Sequence, residues 1–252
     1  MSVYVIYFSP TKSTENIVKE IAKSFEDYIE IDLANRELNS NFIFNKNDIC
    51  IIGVPSYGGR VPSVALERMN EFKGNGVSAI LVASYGNRAY EDTLKELQEY
   101  LTQRNFSCIA GIAAIAEHSI MHQFATGRPD DADKKELGDF SKRILDKINK
   151  SLKCEPLKLP GNYPYREYNG VPLKPKVRKG CMNCGLCAKM CPVGAISITE
   201  LKKTDNALCI TCMRCVDLCP AKARTVSNLK LKIASMKMKK VCSQHKGNEL
   251  FI

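Results

Sequence analysis

Towards its C-terminal end the chain carries the same cysteine pattern twice. Cys181-Met182-Asn183-Cys184-Gly185-Leu186-Cys187-Ala188-Lys189-Met190-Cys191-Pro192 is followed by Cys209-Ile210-Thr211-Cys212-Met213-Arg214-Cys215-Val216-Asp217-Leu218-Cys219-Pro220. Each run reads C-x2-C-x2-C-x3-C-P, a spacing suited to two [4Fe–4S] clusters. Three closely spaced thiolates grip three irons of a cube, and the fourth cysteine, ahead of proline, turns away to complete the other cube. The expected ligand sets are therefore Cys181, Cys184, Cys187 with Cys219, and Cys209, Cys212, Cys215 with Cys191.

Structural zinc sites also use Cys-x2-Cys pairs, but they need four ligands and usually a spacer between two pairs. Here the third and fourth cysteines follow at once, twice over, each time with a trailing proline. Met1 leads straight into a strand-like run with no signal-peptide pattern, which implies a cytoplasmic protein whose thiols stay reduced and available for metal. Of the remaining cysteines, Cys50 and Cys108 lie in apolar stretches and read as buried thiols. Cys154 and Cys242 lie in polar, basic segments and take no assigned role.

At 252 residues the chain has room for one medium domain and a small one. No apolar run approaches the ~18 residues that span a bilayer, so no membrane span is expected. Charge is divided unevenly: residues 1–150 hold 18 Lys+Arg against 21 Asp+Glu, whereas 151–252 hold 19 against 6. The basic excess suits docking to acidic redox partner proteins or to the acidic N-terminal half. It is interleaved with cysteines and prolines and lacks a nucleic-acid-binding motif, so no nucleic acid is expected as a partner.

The N-terminal half alternates strand-like and helical runs. Val3-Tyr4-Val5-Ile6-Tyr7-Phe8 reads as a buried strand. It stops at a hydroxyl-rich turn, and a helical pattern follows with Ile17, Val18, Ile21, Ala22 and Phe25 on one face. Strand, turn and helix in that order seat a phosphate on the first helical amides. Further strands are expected near 28–33, 48–54, 77–83 and 107–116, and helices near 13–26, 62–72, 89–103 and 131–150. Such alternation predicts an α/β fold with a parallel sheet covered on both faces, and five strands with a phosphate turn after the first suggest the order 2-1-3-4-5.

Phe8-Ser9-Pro10-Thr11-Lys12-Ser13-Thr14 resembles the FMN-phosphate loop of flavodoxins. Val54-Pro55-Ser56-Tyr57-Gly58-Gly59-Arg60-Val61-Pro62 resembles their second flavin loop, and Ser84-Tyr85-Gly86-Asn87-Arg88-Ala89-Tyr90-Glu91 the third. Together with the cysteine motifs, which resemble a bacterial-type 2[4Fe–4S] ferredoxin, the chain looks like a flavodoxin–ferredoxin fusion. The resemblance implies a flavodoxin-like five-stranded parallel sheet over 1–150, a proline-rich linker over 151–175, a small α+β ferredoxin domain over 176–226 and a basic tail over 227–252.

It also implies FMN held by Ser9, Thr11, Lys12, Ser13, Thr14, Pro55, Ser56, Tyr57, Gly58, Gly59, Ser84, Tyr85, Gly86, Asn87 and Tyr90. His118, after the fifth strand, could reach the same rim. Two departures stand out. Lys12 replaces the glycine common in flavodoxin phosphate loops, so the loop needs ordinary backbone angles or is strained. With no tryptophan in the chain, ring stacking falls to Tyr57, Tyr85 or Tyr90.

Prolines at 156, 160, 164, 172 and 175 forbid a continuous helix, and the segment reads as an extended strap packed by Tyr163, Tyr165 and Tyr168. In the tail, the alternation of Leu229, Leu231 and Ile233 suggests a strand. The function implied is intracellular electron transfer between FMN and two [4Fe–4S] clusters and on to redox partners. The alternative is an FMN/iron–sulfur oxidoreductase that reduces a small molecule with electrons from its own ferredoxin domain. No Gly-x-Gly-x-x-Gly follows a strand, so nothing points to direct use of a dinucleotide.

Overall fold

Five runs build the larger lobe as parallel strands: β1 Val3–Tyr7, the largely exposed edge strand β2 Ile29–Asp32, β3 Ile49–Pro55, β4 Ser78–Tyr85 and β5 Ser107–Ile115. The computed structural model describes residues 1–25, 27–150 and 156–252; Cys154 and the start of the linker lie outside them. The strands lie side by side in the order β2-β1-β3-β4-β5, the flavodoxin-like order. β3 is buried from Ile49 to Val54 and β4 from Ala79 to Tyr85, because helices cover both faces of the sheet.

One face is covered by α1 Ser13–Ala22 and α4 Asp131–Asn149, the other by α2 Ser63–Arg68 and α3 Thr93–Thr102. Ile49 and Ile51 point to the first layer, while Cys50, Ile52 and Val54 point to the second. Gly53 lets α1 sit close on β3, since a Cβ there would lie 2.3 Å from Val18 Cγ1. α4 begins with a capping box in which Asp130 and Asp133 each accept the other's amide.

Two features of the tail depart from expectation. Residues read as an alternating strand form the helix α7 Asn228–Cys242, capped by the Ser227 hydroxyl accepting from Lys230 N at 3.5 Å. Its Leu, Lys, Met and Ala content favours helix, and that local preference overrides a three-residue alternation. Beyond it, β8 Glu249–Phe251 adds a sixth strand, antiparallel to β5, pairing Leu250 with Ile112.

The smaller lobe pairs β6 Lys176–Val177 with β7 Arg224–Thr225. Two short helices, α5 Leu186–Lys189 and α6 Arg214–Asp217, carry the third cysteine of each motif. Before α5 the chain turns through Gly185 in the left-handed region (φ 75°), and the matching residue before α6 is Met213 (φ 64°). Met213 is buried with Leu173 and Val226, which offsets the backbone cost of a side chain there.

The strap from 156 runs back across α3. The carboxylate of Asp92 accepts the amides of Asn162 and Arg166, each at 2.8 Å, and Gln98 Nε2 donates to Leu157 O at 2.7 Å. The Arg60 guanidinium lies 4.9 Å from the Tyr165 ring centre, and the Tyr165 hydroxyl donates to Glu99. Tyr163, expected to pack the strap, is instead largely exposed and only meets the edge of Tyr165.

The smaller lobe meets the sheet lobe through its second motif. Val193 and Ile210 pack against the core beneath α2 and α3. Arg68 Nη2 donates to Pro192 O at 3.3 Å, and Arg214 Nη2 lies 3.8 Å from Asp32 Oδ2. Among the described residues no helix is long and apolar enough to cross a membrane.

Candidate functional site

A cavity of about 660 Å³ opens at the carboxyl ends of β1, β3, β4 and β5. At one end stand Ser9, Thr11, Ser13 and Thr14, at the start of α1, where the first helical amides have no intrahelical acceptor. Glu15 N is already taken by Ser9 Oγ at 3.0 Å, and Thr14 Oγ1 is 2.7 Å from Ser84 Oγ, which ties the loop to the end of β4. Lys12 adopts φ 64°, so the loop keeps the glycine-type backbone bend despite carrying a side chain. That side chain is exposed and lies outside the cavity lining.

The middle of the cavity is walled by Pro55, Ser56, Tyr57 and Gly58. Tyr57 and Arg60 exchange backbone hydrogen bonds around Gly58 and Gly59, both with positive φ, in a tight two-residue turn. Tyr168 of the strap presses on Gly58, where a Cβ would lie 2.2 Å from its ring, and Tyr168 also lines the cavity. Burial pushes the Tyr57 hydroxyl well above its ordinary pKa, with the Cys212 thiol and the Tyr168 hydroxyl adding to the effect. Gly59 lies outside the lining, and its carbonyl accepts from Asp92 N at 3.0 Å.

The third loop is divided between two tasks. Ser84, Tyr85 and Gly86 line the cavity, whereas Asn87 and Tyr90 do not. Asn87 Nδ2 donates to the carbonyls of Cys242 at 2.5 Å and Gln244 at 3.0 Å. The Tyr85 hydroxyl donates to Gly247 O, and its ring meets Tyr90 edge-on at 5.3 Å. Asn87 and the Tyr85 hydroxyl thus anchor the C-terminal segment, while Tyr85 still lines the cavity together with Tyr57 and Tyr168.

His118 lines the cavity and lies under Gly86. Its Nδ1 accepts the amides of Ile120 at 3.2 Å and Met121 at 3.3 Å, so the ring proton resides on Nε2. Burial pushes the imidazole down to about 4, leaving it neutral near pH 7. Neighbouring Glu117 accepts from Gly127 N at 2.7 Å and pairs with His122.

The remaining walls come from segments the sequence does not mark: Ile210 and Thr211, inside the second cysteine motif, and Ile233, Ala234 and Met238 of α7. A three-residue spacing between Ala234 and Lys237, with Lys230 a turn earlier, places one helix face over the opening, but only once α7 is known to be a helix. Phosphate-sized hydroxyl and amide donors at one end, with flat apolar walls beyond, fit the chemistry of FMN.

Cys181, Cys184, Cys187 and Cys219 line one small cavity with Leu201, Ala223 and Arg224. Burial opposes ionisation of Cys219, yet the amides of Arg224, Ala223 and Ala221 and the Arg224 cation hold its thiol below the usual value. Cys191, Cys209, Cys212 and Cys215 are mutual neighbours in the second group, where burial pushes Cys212 and Cys215 up to about 12. All eight are free thiols. In the first quartet four thiols spread around a cavity, with backbone amides aimed at Cys219, fit a polynuclear iron–sulfur group.

The 4Fe-4S dicluster domain family matches residues 180–223. The larger lobe is similar in structure to a flavodoxin from the domain Archaea, at 14% identity, 59% of this chain, 99% of that chain and a TM-score of 0.44. Oxidised Flavodoxin 1 from Bacillus cereus is similar at 18% identity over 58% of this chain and 98% of its own, with a TM-score of 0.44. A Fusobacterium nucleatum flavodoxin bound to flavin mononucleotide is similar at 15% identity, with 58% and 98% covered and a TM-score of 0.42. No curated protein matches the chain. The flavodoxin-like assignment stands on the strand order of the sheet itself.

Proposed function

We propose that this chain, which joins a flavodoxin-like sheet domain to a 4Fe-4S dicluster domain, passes electrons between FMN and two [4Fe–4S] clusters and on to redox partner proteins. The observation that supports this most is the shared wall: Ile210 and Thr211, which sit between Cys209 and Cys212, line the same cavity as the flavin loops. A cofactor bound by the sheet lobe would therefore touch the loop that carries three thiols of one cluster.

When bound, FMN supplies an acceptor that takes two electrons and releases them singly. Ser9, Thr11, Ser13 and the first amides of α1 hold the phosphate, and Tyr57 and Tyr168 flank the ring. His118, neutral with its proton on Nε2, serves as a fixed hydrogen-bond donor rather than a proton shuttle near pH 7. α7 and the strap wall part of the opening. The eight cysteines hold the clusters in the two quartets named above.

An anaerobic redox titration followed optically, with iron and acid-labile sulfide assays, tests the reading. Zinc without sulfide in anaerobically prepared protein would refute the cluster half. The alternative, reduction of a small molecule over the flavin, draws support from Glu117, His118 and Met121, which line the cavity beyond the flavin loops. Turnover of small acceptors no faster than with free FMN would remove it.

A further inference from the structure

The smaller lobe has a polarity. Pro192, Val193, Ile210 and Arg214, the residues that meet the sheet lobe, all neighbour cysteines of the second quartet. Within that quartet Cys191 is 7% exposed and Cys212 is 9% exposed. The first quartet faces the other way: Cys184 is exposed, and no residue of the sheet lobe lines its cavity.

Around the exposed Cys184 stand two large, exposed apolar side chains, Met182 at 62% and Ile198 at 65% exposure. Ile198 lies over the motif itself, with its Cδ1 2.9 Å from where a Cβ on Gly185 would stand. Beside it an open groove runs along Thr199 to Lys203 and reaches Asn183. The charge here is positive. Lys179, Lys189, Lys202 and Lys203 are exposed, and Glu200, paired with Lys203 at 2.6 Å, is the sole carboxylate lining the groove among the described residues.

We propose that this face, centred on Met182, Cys184 and Ile198, is the docking surface for an acidic one-electron redox protein. The inference rests on the electron-transfer reading above and names where the partner meets the chain. An apolar centre ringed by lysines fits a partner with an apolar patch ringed by carboxylates: the charges steer the encounter, and the apolar contact excludes water at the point of transfer. The step is one electron. Cys181, Cys184, Cys187 and Cys219 would hold the donor cluster, which would give up one electron as the partner's metal centre gains one, with no proton or bond exchanged.

The test uses the iron-loaded full chain, reduced with dithionite and mixed in stopped flow with oxidised rubredoxin, an acidic one-iron protein, or with basic cytochrome c. The rubredoxin rate is expected to fall at least about tenfold between low salt and roughly 0.3 M salt, where screening shortens to a few ångströms. K202E/K203E should lower that rate about tenfold at low salt, and Ile198→Asp should lower it at every salt concentration, with oxidation by ferricyanide unaltered. The charge reversal K232E/K239E on α7 should leave the rubredoxin rate unchanged. If the α7 reversal gives the loss and K202E/K203E does not, or if cytochrome c is favoured at low salt, the docking proposal is overturned. Protein lacking acid-labile sulfide would instead overturn the electron-transfer reading, before any partner is added.

Discussion

The Tyr85 hydroxyl donates to the carbonyl oxygen of Gly247 at 2.8 Å, joining the end of β4 to a residue 162 positions later. Asn87 and Lys246 make the same connection from either side, through Asn87 Nδ2 to Gln244 O and Lys246 Nζ to Arg88 O. The loop expected to serve the flavin alone thus also holds the chain segment that follows α7.

Asn248 is the most buried polar residue of that segment. Its Oδ1 accepts Ile115 N at 2.9 Å, while its Nδ2 donates to Asp133 at 3.0 Å and to Glu136 at 2.7 Å. Asn248→Ala leaves the Ile115 amide unpaired inside the protein and is expected to cost about 2–3 kcal/mol. Urea unfolding of the two proteins reads the difference as a lower midpoint, and an unchanged midpoint would deny the segment a structural role.

Lys12 sits at φ 64°, where a side chain costs about 1–2 kcal/mol and glycine is unstrained. Glycine gives back about 0.5–1 kcal/mol through its freer unfolded chain. Lys12→Gly should therefore stabilise the protein by about 0.5–1 kcal/mol. Because the lysine side chain is exposed and outside the cavity, FMN affinity at high salt should change little.

The two quartets can be told apart by their crossed cysteines. Cys219→Ser should remove the cluster of Cys181, Cys184 and Cys187 and keep the other, and Cys191→Ser should do the reverse. Each variant is expected to hold about half the iron of the parent, with one reduced-cluster signal left in electron paramagnetic resonance. Loss of the local cluster instead, in each case, would reverse the pairing.

His118 gives the stability a defined pH dependence. Its imidazole is neutral in the fold down to about 4, whereas in the unfolded chain it takes up a proton near 6.5. The unfolded state binds more protons in that window, so stability falls as pH drops from 6.5 through 4 and is unaffected above it. The loss attributable to this residue reaches about 3 kcal/mol at the acid end. It should be absent from His118→Gln when the two proteins' denaturation midpoints are compared across that range.

The parallel sheet was legible because β3 and β4 are apolar without interruption, and the pairing of Cys219 with Cys181, Cys184 and Cys187 was implied by spacing alone. Such signals are local. The tail misleads locally: Leu229, Leu231 and Ile233 alternate over too short a run to outweigh the helical preference of their neighbours and the Ser227 cap. What else escaped was non-local. Asn87 and Tyr90 look like flavin-loop residues and spend their polar atoms on the tail. Tyr168 gives no local sign that it packs on Gly58.

Because β8 pairs with β5 on one side of the dicluster lobe and the strap grips α3 on the other, that lobe is inserted in the sheet domain and held at both ends. Any exchange between the two lobes is then a first-order event. Diluting the protein a thousandfold would slow its encounters with other molecules and leave the internal hop at the same rate.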